Sequence, residues 1–402
     1  MTAIVPVQRV WTPAKKSAIL TPQLEAPTFV PPTPVSPRTP LVSPPRLRFG
    51  TNQQFYTELR QRVDAFFKAK GSKPRDNGRM YLKTGILMAG LITSYSLLVY
   101  CATEWWQALP LAILVGLSMA GIGFNVQHDG GHQAYSDKQW INRLMAMSLD
   151  LVGGSSYFWH WKHVSFHHTY VNVAGHDTDV DLGGLGRLTP HHKRHFFHRW
   201  QHIYLWPLYG FLAIKWEMFD DFRDLLTGRI GPHKIPRPKG MDLVIFFLGK
   251  ITFFFFALAL PMCYHPVGVV LAYYAIMVTV LGVVLSLTFQ LAHCVEEAEF
   301  PIPAEGTDNI EATWAVHQVE TTVDFARTNP VVAWFLGGLN FQIEHHLFPK
   351  ICHVNYPEIS KIVEQTCQEY GIKYHEHRTV WAGIVSHFRW LRQMGQPDAA
   401  AH

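Results

Sequence analysis

The stretch that decides the reading is His163-Val164-Ser165-Phe166-His167-His168. On an α-helix, His163 and His167 fall four apart and share a face. His168 then projects about 100° further round the axis. Three imidazoles aimed in two directions suit a pair of neighbouring metal ions. Two other segments echo it. His128-Asp129-Gly130-Gly131-His132 repeats the i, i+4 pair, and Gln342-Ile343-Glu344-His345-His346 repeats the doubled histidine. One histidine pair on a helix is more often packing or surface than a ligand set. Three such segments, each just beyond an apolar stretch, point to one shared centre.

Outward from these segments, hydropathy sets the frame. Four runs, Thr84 to Ala102, Ala108 to Gln127, Leu243 to Cys263 and Val267 to Leu291, are each near the ~20 residues that cross a bilayer. Short connections through Trp105-Trp106 and Tyr264-His265-Pro266 make them two hairpins. Neither hairpin tip carries Lys or Arg, whereas the flanking segments do, so both termini and all three histidine segments are expected in the cytoplasm. The expected fold is an all-α integral membrane protein of four spans with a helical cytoplasmic cap. Leu205 to Ile214 and Val331 to Phe341 are too short to cross and are expected in the interface. Ile141 to Trp159 is interrupted by Arg143, Asp150 and Gly153-Gly154, which makes six spans the weaker topology. Lys250, inside the third run, reads as a snorkelling side chain ahead of a polar contact in a cavity.

Residues 1–48 are rich in Pro, Ser and Thr and read as a disordered arm without the apolar core of a secretory signal. Residues 49–402 form the membrane domain. A helix from Gln53 to Lys70 is expected, with Phe55, Leu59, Val63 and Phe66 on the face that meets either the membrane or the cap. The 402 residues are 48% hydrophobic and carry a formal net charge of +5, a balance suited to a membrane surface or an acidic partner. No basic pattern interleaved with aromatics indicates nucleic acid. None of the five cysteines forms a C-x-x-C pair, so neither a zinc knuckle nor a disulfide framework is indicated.

The candidate ligands are His128, His132, His163, His167, His168, His293, His345 and His346, with Gln342 a weaker ninth. His128 and His293 follow their apolar runs without a break. Imidazole suits iron, zinc and copper. A hydrolytic zinc pair would normally include carboxylates at ligand spacing, and here only Asp129 and Glu344 adjoin histidines. Those two are expected to orient imidazole rings. Two irons in such a site fit oxygen activation and hydrogen removal from an unactivated carbon, chemistry beyond any side chain alone.

Taken together, the three segments resemble the histidine boxes of the membrane fatty-acid desaturases. Gln342-Ile343-Glu344-His345-His346-Leu347-Phe348-Pro349 resembles the third box of the front-end branch, which includes acyl-lipid delta-6 (linoleoyl) desaturases, where Gln replaces the first His. Met80-Tyr81-Leu82-Lys83-Thr84, His167-His168-Thr169-Tyr170, Phe289-Gln290-Leu291-Ala292-His293 and Gly337-Gly338-Leu339-Asn340 extend the likeness to bacterial and cyanobacterial members. The resemblance implies a di-iron enzyme that uses O2 and two electrons to place a cis double bond in a long acyl chain, carried on a lipid or on coenzyme A, lying in a tunnel beneath the irons. It implies a cytochrome b5-like or ferredoxin donor. Many eukaryotic front-end members carry a fused cytochrome b5 domain with a His-Pro-Gly-Gly motif. This chain has only His265-Pro266-Val267-Gly268, so the electrons are expected from a separate carrier. The usual Asn after the first His of the middle box is Val164 here, which removes no ligand.

Other histidines are read more plainly. His160 is expected at the interface. His191, His192, His195, His198 and His202 read as a solvated basic face, and His375, His377 and His387 as surface residues. His317 reads as packing ahead of support to the centre. Asp177, Asp179 and Asp181 either hold imidazole N–H groups or form a polar loop. Two rivals remain beside the desaturase. A hydroxylase or ketolase would share the di-iron chemistry, and a metal transporter would place ionisable residues at mid-membrane in several spans.

Overall fold

The computed structural model describes residues 44–397. The arm expected over 1–48 lies outside them as far as residue 43. At its end Leu47 is buried, and Arg48–Gly50 pairs in parallel with Asn309–Thr313.

Among the described residues, four helices are long and apolar enough to cross a membrane: Gly78–Tyr100, Trp105–Gly131, Met241–Met262 and Val267–His293. The first begins ahead of the expected run because Asn77 caps it, its side chain accepting the Arg79 N–H at 3.0 Å. Arg79 and Lys83 then fall inside the helix, where hydropathy alone had excluded them. Ile86, Ile92, Leu248, Ile251 and Leu271 point outward from these helices. Apolar side chains exposed in such a belt face lipid. The second and fourth helices approach closely at Gly116, where a Cβ would lie 2.6 Å from the Met277 carbonyl. Met119, Ala120, Val278 and Leu281 share the resulting core.

Between the second and third apolar helices the chain breaks into short pieces. Ile141 to Trp159 becomes Gln139–Ala146, Ser148–Leu151 and Ser156–Trp159. Gln201–Tyr209 and Leu212–Lys215 lie against the fourth apolar helix, the Tyr209 carbonyl accepting the Ser286 hydroxyl at 3.3 Å. Beyond them, Trp216–Asp220 folds onto the third apolar helix, which overturns the snorkelling reading of Lys250. Its ammonium is buried and donates to the carbonyls of Gly153 (2.6 Å) and Glu217 (2.9 Å) and to Asp221 Oδ2 (2.7 Å).

The helix Gln54–Lys70 packs on the cap rather than lying free. Phe55, Leu59, Val63 and Phe67 are buried with Tyr356, Ile359 and Val363. Phe67 takes the inward place expected of Phe66, which is half-buried.

Candidate metal centre

The local backbone departs from the α-helix assumed from the spacing. Gly123–Gln127, immediately before His128, and His160–His167, which carries the middle segment, are π-helical. A π turn bonds i to i+5, a widening that is frequent at functional sites. The consequence is direct. His168, five residues on, turns its Nε2 to within 3.2 Å of His163 Nε2 instead of pointing away. The His163 and His167 rings stack with centroids 5.2 Å apart. Gly131 lets the first segment pass the second, since a Cβ there would lie 2.2 Å from the Trp159 ring.

All eight candidate histidines converge and are buried. Ligand nitrogens of His128, His132, His163 and His345 lie within 4.8 Å of one another, as do those of His167, His293 and His346. His168 joins the sets by grouping with His345 and His346. Gln342 lines a small cavity with His163, His167 and His293, and its Nε2 donates to the Leu339 carbonyl at 2.8 Å.

The inner nitrogens lack protein partners suited to them. His132 Nε2, His345 Nε2 and His346 Nε2 are buried without a hydrogen bond. His128 Nε2 faces His163 Nε2 at 3.2 Å. Burial holds His163, His168, His345 and His346 well below the ordinary imidazole range, and neighbouring rings add to the effect. Neutral rings with lone pairs turned inward are costly in a dry site unless a cation sits among them. The donor set therefore fits metal.

The outer nitrogens are held. His167 Nδ1 meets Asp177 Oδ2 at 3.0 Å, His346 Nδ1 meets Gln318 Oε1 at 3.0 Å and His345 Nδ1 lies 3.4 Å from the Tyr356 hydroxyl. Burial opposes charge on His167, but the Asp177 carboxylate outweighs it and raises the ring above its usual value. Asp177 itself accepts the backbone N–H groups of Asn172 and Asp179, each at 3.0 Å. Of the two readings of the acidic group, ring support is the one realised, at Asp177.

Two expected ring-orienting carboxylates do other work. Asp129 accepts from His353 Nδ1 at 2.9 Å, and His353 Nε2 meets Lys83 Nζ at 2.9 Å. Asp129 follows the ring of His128 in sequence, but its side chain leaves on another face of the helix. Glu344 accepts from the Tyr374 hydroxyl at 2.9 Å and sits in a buried acidic pair with Asp324, so burial and that neighbour push its carboxyl far up. Among the described residues, neither carboxylate hydrogen-bonds a box histidine. Gln318 and Tyr356, which do, carried no sequence signal beyond Gln318's place beside His317.

Several plainer readings also change. His198 is buried and bonds the Gly184 carbonyl at 2.9 Å instead of facing solvent. His387 is buried between the Tyr209 hydroxyl (2.6 Å) and the Cys294 carbonyl (2.7 Å), and His377 meets Glu297 at 3.1 Å. These three sit where the chain's end packs back on the fold, a contact invisible in local sequence. His160 is exposed, and His317 is buried beside Phe49.

The family model for fatty acid desaturases matches residues 104–378. The chain is 37% identical over 361 residues to an sn-1 linoleoyl-lipid 6-desaturase of Arthrospira platensis, covering 89% of this chain and 97% of that protein. It is 36% identical to a protein of the same name from Synechocystis, covering 87% and 98%. An acyl-lipid (8-3)-desaturase of Physcomitrium patens is 38% identical, covering 86% and 72%. A membrane protein whose buried imidazoles are gathered in this way, the chain belongs to the fatty acid desaturase family and is a fatty acyl desaturase.

Proposed function

We propose that the chain is an O2-dependent di-iron front-end desaturase, delta-6-like, acting on linoleoyl-type chains of membrane lipids. Its ligands are His128, His132, His163 and His345 on one side and His167, His168, His293 and His346 on the other, with Gln342 in a ligand position. The observation that carries this reading is the inward-facing set of buried imidazole nitrogens, several of them without a hydrogen-bond partner. Eight imidazoles exceed one ion's coordination and suit two. Iron held there supplies the oxygen chemistry that takes hydrogen from an unactivated carbon.

The chain's own groups then have defined tasks. Asp177, Gln318 and Tyr356 fix ring orientation. The buried setting excludes bulk water. The acyl chain loses two hydrogens and O2 is reduced to water, so two electrons and two protons enter from outside. A separate carrier, ferredoxin or cytochrome b5-like, supplies the electrons. The domain spans 49–402, crosses the membrane four times and keeps both termini and the histidines in the cytoplasm, on the asymmetry of Lys and Arg.

Expression in a host that makes linoleate, followed by mass spectrometry of fatty-acid methyl esters, tests the reading. The expected product is a chain with a new double bond on the carboxyl side of the existing ones. An alcohol in its place points to a hydroxylase. His167→Ala is expected to abolish product and lower bound iron while still inserting in the membrane.

A further inference from the structure

A cavity opens beneath His128 between the second and fourth apolar helices. Met119, Leu281, Leu285 and Phe289 form its apolar walls, with Trp159 and Trp216 closing the sides. Met119 lies about 13 Å along its helix from His128, and Leu281 about 18 Å from His293, at the rise of a helix. The cavity therefore descends from the histidines toward the bilayer interior. A lipid-borne acyl chain keeps its ester at headgroup level. Its segment beyond the reacting carbons, toward the methyl end, fits this descending arm.

Two buried polar side chains break the apolar lining, Gln127 and Glu217. Gln127 Nε2 and Glu217 Oε1 have no hydrogen-bond partner. The other Glu217 oxygen, Oε2, accepts the Tyr274 hydroxyl at 2.9 Å. Lys250 makes its ion pair with Asp221 and not with this carboxyl. Its ammonium is taken by the Glu217 backbone carbonyl and by Asp221. Burial pushes Glu217 up to about 7, which makes its acid form accessible, and with Oε2 occupied as an acceptor that form carries its proton on Oε1. The arm thus presents the Gln127 amide N–H groups and, in the acid form of Glu217, one O–H donor. A saturated chain offers them nothing. A cis double bond offers a π face, a weak acceptor for such donors.

We propose that Gln127 and Glu217 read unsaturation, selecting acyl chains that already carry a cis double bond beyond the carbons to be desaturated. This rests on the desaturase function proposed above and assigns a specificity role to two residues that bind no metal. A weak π contact of this kind changes relative retention by about two- to fivefold per donor.

The test uses the full-length protein purified from a host whose membranes hold saturated and cis-unsaturated chains of equal length. Acyl chains that co-purify are released and compared with those of the host membrane. The wild type is expected to be enriched in unsaturated chains. Glu217→Leu and Gln127→Leu are each expected to lower that enrichment about two- to fivefold, while Glu217→Gln, which keeps a donor, retains it. Equal retention of saturated and unsaturated chains by the wild type overturns the proposal, whether or not the leucine variants accumulate. Enrichment unchanged in both leucine variants overturns it too. Failure of the desaturase reading shows separately, as no new double bond in the lipids of the host expressing the wild type.

Discussion

His167 Nδ1 lies 3.0 Å from Asp177 Oδ2, and both side chains are buried. Two backbone N–H groups hold the carboxylate from behind, so its position is fixed before the ring meets it. A carboxylate on the outer nitrogen sets the tautomer and makes the inner nitrogen a better ligand. Asp177→Asn keeps the shape and loses the charge. Metal affinity is expected to fall about 10- to 100-fold, read as iron retained per protein along a chelator titration. A titration that matches the wild type would remove Asp177 from the centre.

Lys250 of the third apolar helix and Asp221 of the short helix Asp221–Thr227 form a buried pair at 2.7 Å. Removing one charge from such a pair commonly destabilises by about 3–5 kcal/mol, because the other is left alone. Lys250→Met is therefore expected to lower thermal stability in detergent markedly. The double variant Lys250→Met with Asp221→Leu is expected to recover part of the loss. A snorkelling lysine would instead tolerate Met with little change, so the single variant alone separates the two arrangements.

How much of this was legible follows from where the physics is local. The four apolar helices are set by length and hydropathy, and their ends moved only where a cap such as Asn77 held charged residues inside a helix. The candidate ligand histidines announced themselves by type and clustering. Their angular arrangement did not, because the π turn over His160–His167 depends on the site around it. The supporting residues were the least legible. Gln318 and Glu217 lie 28 and 57 residues from what they touch and Tyr356 lies 11, none at helical spacing, while Asp129 and Glu344, which adjoin histidines in sequence, face elsewhere. Adjacency in sequence fixes a neighbour's backbone and leaves its side-chain direction to the helix.

Acid sensitivity is expected where the chain's end docks. Glu297 accepts the Ser386 hydroxyl at 2.7 Å and lies 3.1 Å from His377. Burial would raise its carboxyl, but the His377 and Ser386 hydrogen bonds outweigh that and lower it to about 2. A carboxyl lowered on folding stabilises above its unfolded value, near 4.5, and loses that stabilisation as pH falls toward 2. The melting temperature of Glu297→Gln is expected to depend less on pH than that of the wild type between about 4.5 and 2. Parallel melting curves for the two proteins across that window would discount the contact.

Gln342 occupies the position where a histidine would complete the third segment, beside His163, His167 and His293. Its Nε2 is spent on the Leu339 carbonyl, which leaves the amide oxygen as the atom available to a metal. An amide oxygen is a poorer donor than imidazole for a borderline ion such as iron. Gln342→His is therefore expected to keep the iron-to-protein ratio at or above the wild-type value. Gln342→Leu, which supplies no donor, is expected to lower it, and activity with it. Loss of iron in the histidine variant would mean that the position packs the helix rather than facing a metal, and the ligand set would close with the eight histidines.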